Sequence, residues 1–142
     1  MSEKIGLLAT SRRKGDEEAP VVEFYKSPLF IKALQYAHKN YDRFYFYNAK
    51  DGLLLPDQMM APYDVSIQTF SISQKRHWGK KVIESFSTYE IVKDKIIYLH
   101  GGRVYRQFLE PELSKHGFYY EVPLKGLGIG KQLKWYENEL NK

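Results

Sequence analysis

Four times along this chain a short apolar or aromatic run meets a polar or glycine-bearing loop, and residues spaced for one helix face follow. The runs are Lys4–Ala9, Arg43–Tyr47, Lys95–Leu99 and Phe118–Val122. This alternation constrains the fold more than any single motif. Parallel strands cannot be joined by a tight turn, and an amphipathic helix is the usual crossover between them. The expected architecture is therefore α/β: residues 1–142 form a single-domain three-layer sandwich with a short, mainly parallel four-stranded sheet and helices on both faces.

The helical segments carry local start and stop signals. Ser27-Pro28 opens the first, a serine suited to cap free amides and a proline suited to the first helical position. Phe30, Leu34, Ala37 and Tyr41 then share a face. Ser73 is read as the cap of a helix running to Phe86, with Trp78, Val82 and Phe86 inward and Lys75, Lys80 and Lys81 mostly outward. The helix carrying Val104, Phe108 and Leu113 contains Pro111, which either kinks or divides it, and Gly117 ends it. Between Leu53 and Ile72 no periodicity is visible, and Pro56, Pro62 and the Pro62-Tyr63-Asp64 turn mark a long irregular connection of the kind that often carries function.

With 43% hydrophobic and 15% aromatic residues in 142, the chain can build a core. No stretch reaches the roughly 18 apolar residues of a membrane helix, and Met1-Ser2-Glu3-Lys4 lacks the build of a signal peptide. The absence of cysteine excludes disulfides, thiol nucleophiles and zinc–thiolate sites and agrees with a reducing compartment. The expectation is a cytoplasmic protein that does not engage a membrane. Its formal charge of +5 favours anionic partners.

In open parallel sheets ligands bind beyond the carboxyl ends of the strands. Each run here ends in a distinctive polar group: Ser11-Arg12-Arg13-Lys14, Asn48-Ala49-Lys50-Asp51, His100-Gly101-Gly102-Arg103, and Gly126-Leu127-Gly128-Ile129-Gly130-Lys131. Their convergence on one rim is the main functional argument. Ser11, Arg12 and Lys14 read either as a solvated basic turn or as a phosphate cradle. Gly128 and Gly130 either allow close strand-to-helix packing or bare backbone amides to an anion; their spacing fits neither a Walker loop nor a dinucleotide fingerprint. Asn48, Lys50 and Arg103 add polar and cationic contacts. Asp51 and Asp64 are the candidate general bases and His100 a candidate for stabilising developing charge. Asp64 reads equally as a turn residue. Tyr63 is a candidate to stack on a base, although with 12 tyrosines in the chain simple packing competes with that role. His38, His77 and His116 lack metal-ligand spacing, so neither a metal nor a cofactor is expected. Without a nucleophile motif, covalent catalysis is disfavoured.

The order of the Ala9–Lys14 stretch, Tyr25-Lys26-Ser27-Pro28-Leu29-Phe30, Ala49-Lys50-Asp51-Gly52-Leu53-Leu54, Pro62-Tyr63-Asp64 and Gly126–Gln132 resembles an uncharacterised bacterial and phage domain family. That family is distantly similar to the uracil-DNA-glycosylase-like α/β superfamily, and the resemblance implies a nucleobase or nucleotide ligand. The chain departs from the pattern where a cysteine- and lysine-containing first loop is replaced by Ala9-Thr10-Ser11-Arg12-Arg13-Lys14, and where Asp51 stands for an aromatic residue or histidine. Arginine still grips phosphate there; chemistry that needs the cysteine does not carry over.

Two readings follow. One is a nucleotide- or nucleic-acid-directed enzyme, such as an N-glycosidase or base-modifying transferase. The other is a non-catalytic nucleotide or nucleic-acid binder, or a phage-type accessory protein that acts on a host protein.

Overall fold

The computed structural model describes residues 2–11 and 15–142. In chain order the elements are β1 (Glu3–Ala9), β2 (Ala19–Pro20), α1 (Val21–Phe24), α2 (Pro28–Asn40), β3 (Arg43–Asn48), β4 (Gly52–Leu54), β5 (Met59–Met60), a 3-10 turn (Ile67–Thr69), α3 (Ile72–Tyr89), β6 (Lys95–Leu99), α4 (Arg103–Lys115), β7 (Tyr120–Glu121) and α5 (Ile129–Leu140). The fold is mixed α/β around a mostly parallel sheet of five strands, in the order β4-β3-β1-β6-β7. β1 pairs in parallel with β3 and β6, and β6 in parallel with β7; only β4, at one edge, runs antiparallel to its neighbour β3. β2 and β5 form a separate two-stranded pair.

The fifth strand corrects the expected count of four. The chain does not leave β3 through a loop toward a helix. It reverses at Ala49-Lys50-Asp51, and Gly52 takes φ +75°, the left-handed backbone that a three-residue hairpin loop needs before the return strand.

Alternate strand residues feed two hydrophobic clusters, as the period of two requires. Ile5, Leu7, Tyr45, Tyr47, Ile97 and Leu99 join Trp78, Val82 and Phe86 of α3 and Leu109 and Leu113 of α4. Leu8 and Phe46 join Phe30, Ala33 and Ala37 of α2 and Tyr136 of α5.

Local signals explain the helix ends. The Ser27 hydroxyl accepts from the Phe30 amide, satisfying one of the free donors at the start of α2. α3 starts two residues earlier than the Ser73 reading, because Ser71 and Gln74 form a reciprocal capping box, and it continues past Phe86 to Tyr89. α4 runs unbroken through Pro111. It closes with the Phe118 amide on the Leu113 carbonyl and the Gly117 amide on the Ser114 carbonyl, the two bonds of a Schellman motif. The last strand is shorter than the Phe118–Val122 run, covering only Tyr120–Glu121. Among the described residues no helix is long and apolar enough to cross a membrane.

Candidate functional site

The parallel strands all end at one rim, and their order reverses on either side of β1, whose neighbours β3 and β6 are reached in opposite directions. Such a switch point leaves a crevice beyond the strand ends. Two cavities open at this rim.

The smaller, about 40 Å³, lies beyond β1 and β6, where Thr10, Ser11, His100, Gln132 and Tyr136 line it. His100 is buried, with 2% of its surface exposed. Its Nε2 is 2.5 Å from the Tyr41 hydroxyl and its Nδ1 is 2.5 Å from the Tyr136 hydroxyl. Burial pushes the imidazole down to about 3, so it is neutral across the physiological range. A neutral ring has one donor and one acceptor nitrogen, so one tyrosine donates to it and the other accepts. Burial likewise raises both phenols far above the ordinary range.

Glycines make this arrangement possible. A side chain on Gly6, in mid-β1, would come within 2.5 Å of the Tyr41 ring, so the bare backbone lets Tyr41 lie over the strand and stack on Tyr98. Gly101, at φ +118°, allows the Tyr47 hydroxyl to reach the His100 carbonyl at 2.6 Å.

The larger cavity, about 500 Å³, lies between the β3–β4 hairpin and the first turns of α3. Lys50 and Asp51 line it from the hairpin, His77 and Lys81 from α3, the half-buried Phe70 supplies an aromatic wall, and the buried Trp78 borders it. Asn48 holds the hairpin. Its Oδ1 accepts from the Asp51 amide at 2.6 Å and its Nδ2 donates to the Asp51 carboxylate at 3.2 Å. Its carbonyl accepts from the Trp78 indole at 2.9 Å, which ties α3 to the hairpin. The Lys50 ammonium sits 5.6 Å from the centre of the Tyr63 ring. Tyr63 also stacks on Phe24 and its hydroxyl meets that of Tyr25 at 2.6 Å. Burial, then this hydrogen bond, raises the Tyr63 phenol well above its usual range.

The sequence candidates thus separate into groups. Lys50 and Asp51 share the larger cavity; Ser11 and His100 share the smaller one. Arg12 and Lys14 lie outside the described residues. Asp64 is exposed beside Tyr63, and Arg103, Gly128 and Gly130 line neither cavity. Arg103 opens α4 and Gly128 is the N-cap of α5, and neither helix has a side-chain cap. An added Cβ at Gly128 or Gly130 would meet nothing within 4 Å, so close packing does not account for these glycines.

His77, Lys81, Phe70 and Trp78 were not singled out as site residues from the sequence. One signal was present: Ser73, His77 and Lys81, spaced i, i+4, i+8, form a polar row beside the inward Trp78. Among the described residues no cluster of three or more histidine, aspartate or glutamate side chains is placed to hold a metal.

At the opposite end of the sheet Glu90 anchors an ion network. Arg43 donates to it at 2.9 and 2.8 Å, Lys95 at 2.7 Å, and the Tyr45 hydroxyl also donates to it. Burial alone would raise this carboxyl, but the donated hydrogen bonds from Arg43, Lys95 and Tyr45 outweigh it and hold the group down at about 2. The network ties together the amino ends of β1, β3 and β6.

The molecule is therefore of the open α/β class, with a strand-end rim and two cavities at it. The chain belongs to a family of unknown function, DUF6884, whose model matches residues 5–138 and so spans every residue of both cavities. Among curated proteins none matches it.

Proposed function

We propose that this protein binds a phosphate-bearing ligand of the nucleotide class in the cavity between the β3–β4 hairpin and α3. The observation that carries this reading is the lining: two cations, Lys50 and Lys81, with His77, around the half-buried ring of Phe70 and over the buried Trp78 in about 500 Å³. That volume is in the range, about 300–1,000 Å³, of pockets for small organic ligands. Aromatic surface suits a base, and flexible ammonium groups suit a phosphate with charge-assisted hydrogen bonds. Asp51 is the one carboxylate in the lining.

Binding is favoured over turnover by the separation of the candidate acid–base groups. Asp51 and the neutral His100 line different cavities, so His100 does not reach a leaving base held beside Asp51. In the hydrolytic alternative Asp51 orients a water toward the sugar carbon of a glycosidic bond, which yields free base and free sugar phosphate.

Thermal-shift titration with the four ribonucleoside monophosphates, their nucleosides and inorganic phosphate tests the reading. A monophosphate at about 100 times its Kd adds about 2.7 kcal/mol. In Lys50→Ala/Lys81→Ala the affinity drops by about a hundredfold or more, since each of the two charge-assisted bonds is worth about 1.5–3 kcal/mol. Absence of any shift, or a double variant that binds as tightly as wild type, overturns it. Release of free base that disappears in Asp51→Asn would establish the hydrolytic alternative.

A further inference from the structure

The cavity lies at the edge of a larger basic surface. α3 carries Lys75, Arg76, Lys80 and Lys81 against a single carboxylate, Glu84, and has no acidic residue in its first turn. Lys75 is turned away, half-buried with its ammonium 6.0 Å from the Phe108 ring centre. The side chains of Arg76, His77, Lys80 and Lys81 are exposed. At about 100° per residue they fall within a sector about 140° wide. His77 and Lys81 face the cavity; Arg76 and Lys80 form a neighbouring row outside it.

Two features need a partner beyond a single nucleotide. Like charges one helical turn apart repel, so the Arg76–Lys80 row weakens α3 unless an anion covers it. Among the described residues Arg76 has no ion pair, and Lys80 has only Glu84 at 3.9 Å, both exposed. A mononucleotide carries its charge at one end, and the cavity cations already answer it. Arg76 and Lys80 lie one helical turn apart, about 5–6 Å between Cβ atoms, a separation comparable to that of neighbouring phosphates on one strand.

We infer that α3 is the docking face for single-stranded nucleic acid, with one base seated in the cavity and the adjoining phosphates on Arg76 and Lys80. The inference rests on the cavity being a nucleotide site. A duplex fits less well, because its bases are stacked and paired and do not offer a ring face to the half-buried Phe70. Single-strand grooves elsewhere combine the same two ingredients, a cationic track and aromatic surface for the bases.

The test compares a ribonucleoside monophosphate with single-stranded DNA and RNA of about 10 nucleotides, measured by fluorescence anisotropy and calorimetry from about 50 to about 200 mM salt. The wild-type protein should bind the oligonucleotide more tightly than the monophosphate, with a log–log salt slope near −2 to −3 for three or four phosphate contacts at about −0.7 each. In Arg76→Ala/Lys80→Ala the slope should become shallower by about 1.4, while monophosphate affinity is unchanged. An oligonucleotide that binds no tighter than the monophosphate, or a slope unmoved by the double variant, overturns the inference and leaves the nucleotide site standing. Equal binding of polyglutamate at matched charge also overturns it, since the face would then read charge alone and fit an acidic protein. If neither monophosphate nor oligonucleotide binds, both readings fall.

Discussion

Gly101 and Gly102 are adjacent in sequence, yet replacing each by alanine should have very different consequences. Gly101 has φ +118°, and an added Cβ would lie 2.0 Å from the Tyr47 hydroxyl and 3.0 Å from the Ala9 Cβ. Alanine in left-handed backbone costs about 1–2 kcal/mol. Crowding a packed site costs about 1–3 kcal/mol more. Displacing the Tyr47 hydroxyl from the His100 carbonyl forfeits a hydrogen bond worth about 1 kcal/mol. Gly101→Ala should therefore destabilise by about 3–6 kcal/mol. Gly102, at φ −78°, has nothing within 4 Å of an added Cβ. Gly102→Ala should cost at most about 1 kcal/mol, the difference between glycine and alanine at an N-cap. Urea unfolding followed by far-ultraviolet circular dichroism reads both, with an unchanged m-value as the check that the unfolded states are comparable. If Gly101→Ala falls within about 1 kcal/mol of wild type, or if the two variants cost the same, the tight approach of Tyr47 to the β6–α4 turn is wrong.

Two pH effects follow from buried groups. The unfolded chain protonates His100 near its ordinary 6.5 and the folded chain only near 3; the stability of the neutral ring is whole above pH 6.5 and falls by about 1.4 kcal/mol per unit below it. A Tm profile between pH 6.5 and 4.5 should be steeper for wild type than for His100→Gln, and parallel profiles would refute this. Glu90 acts lower: its carboxyl falls from 4.5 to about 2 on folding, so its contribution of about 3 kcal/mol is present above pH 4.5 and lost as pH falls toward 2. The stability difference between wild type and Glu90→Gln should be constant from pH 7 to 5 and shrink below that; a difference that does not change down to pH 3 would contradict the network.

The strands and helices were legible because their signals are local. An apolar run, a serine before a proline and a glycine after a helical pattern each act within a few residues, and Ser27, Gly117 and three of the four strand runs appear where those signals lie. The β3–β4 hairpin was less legible. Its return strand is three residues long, too short to show alternation, although Asp51-Gly52 is a known turn pair.

From the sequence alone came the parallel α/β plan, and with it the convergence of Asn48, Lys50, Asp51 and His100 at one end of the sheet. Which of those residues share a cavity was decided by tertiary structure. His100 meets partners 59 and 36 positions away, and their packing makes it a buried, neutral ring. The hairpin places Lys50 and Asp51 opposite His77 and Lys81, some 30 residues further along. Local propensity acts over a turn of helix or a pair of strand residues, whereas a cavity is bounded by side chains that only the packing of separate elements brings together.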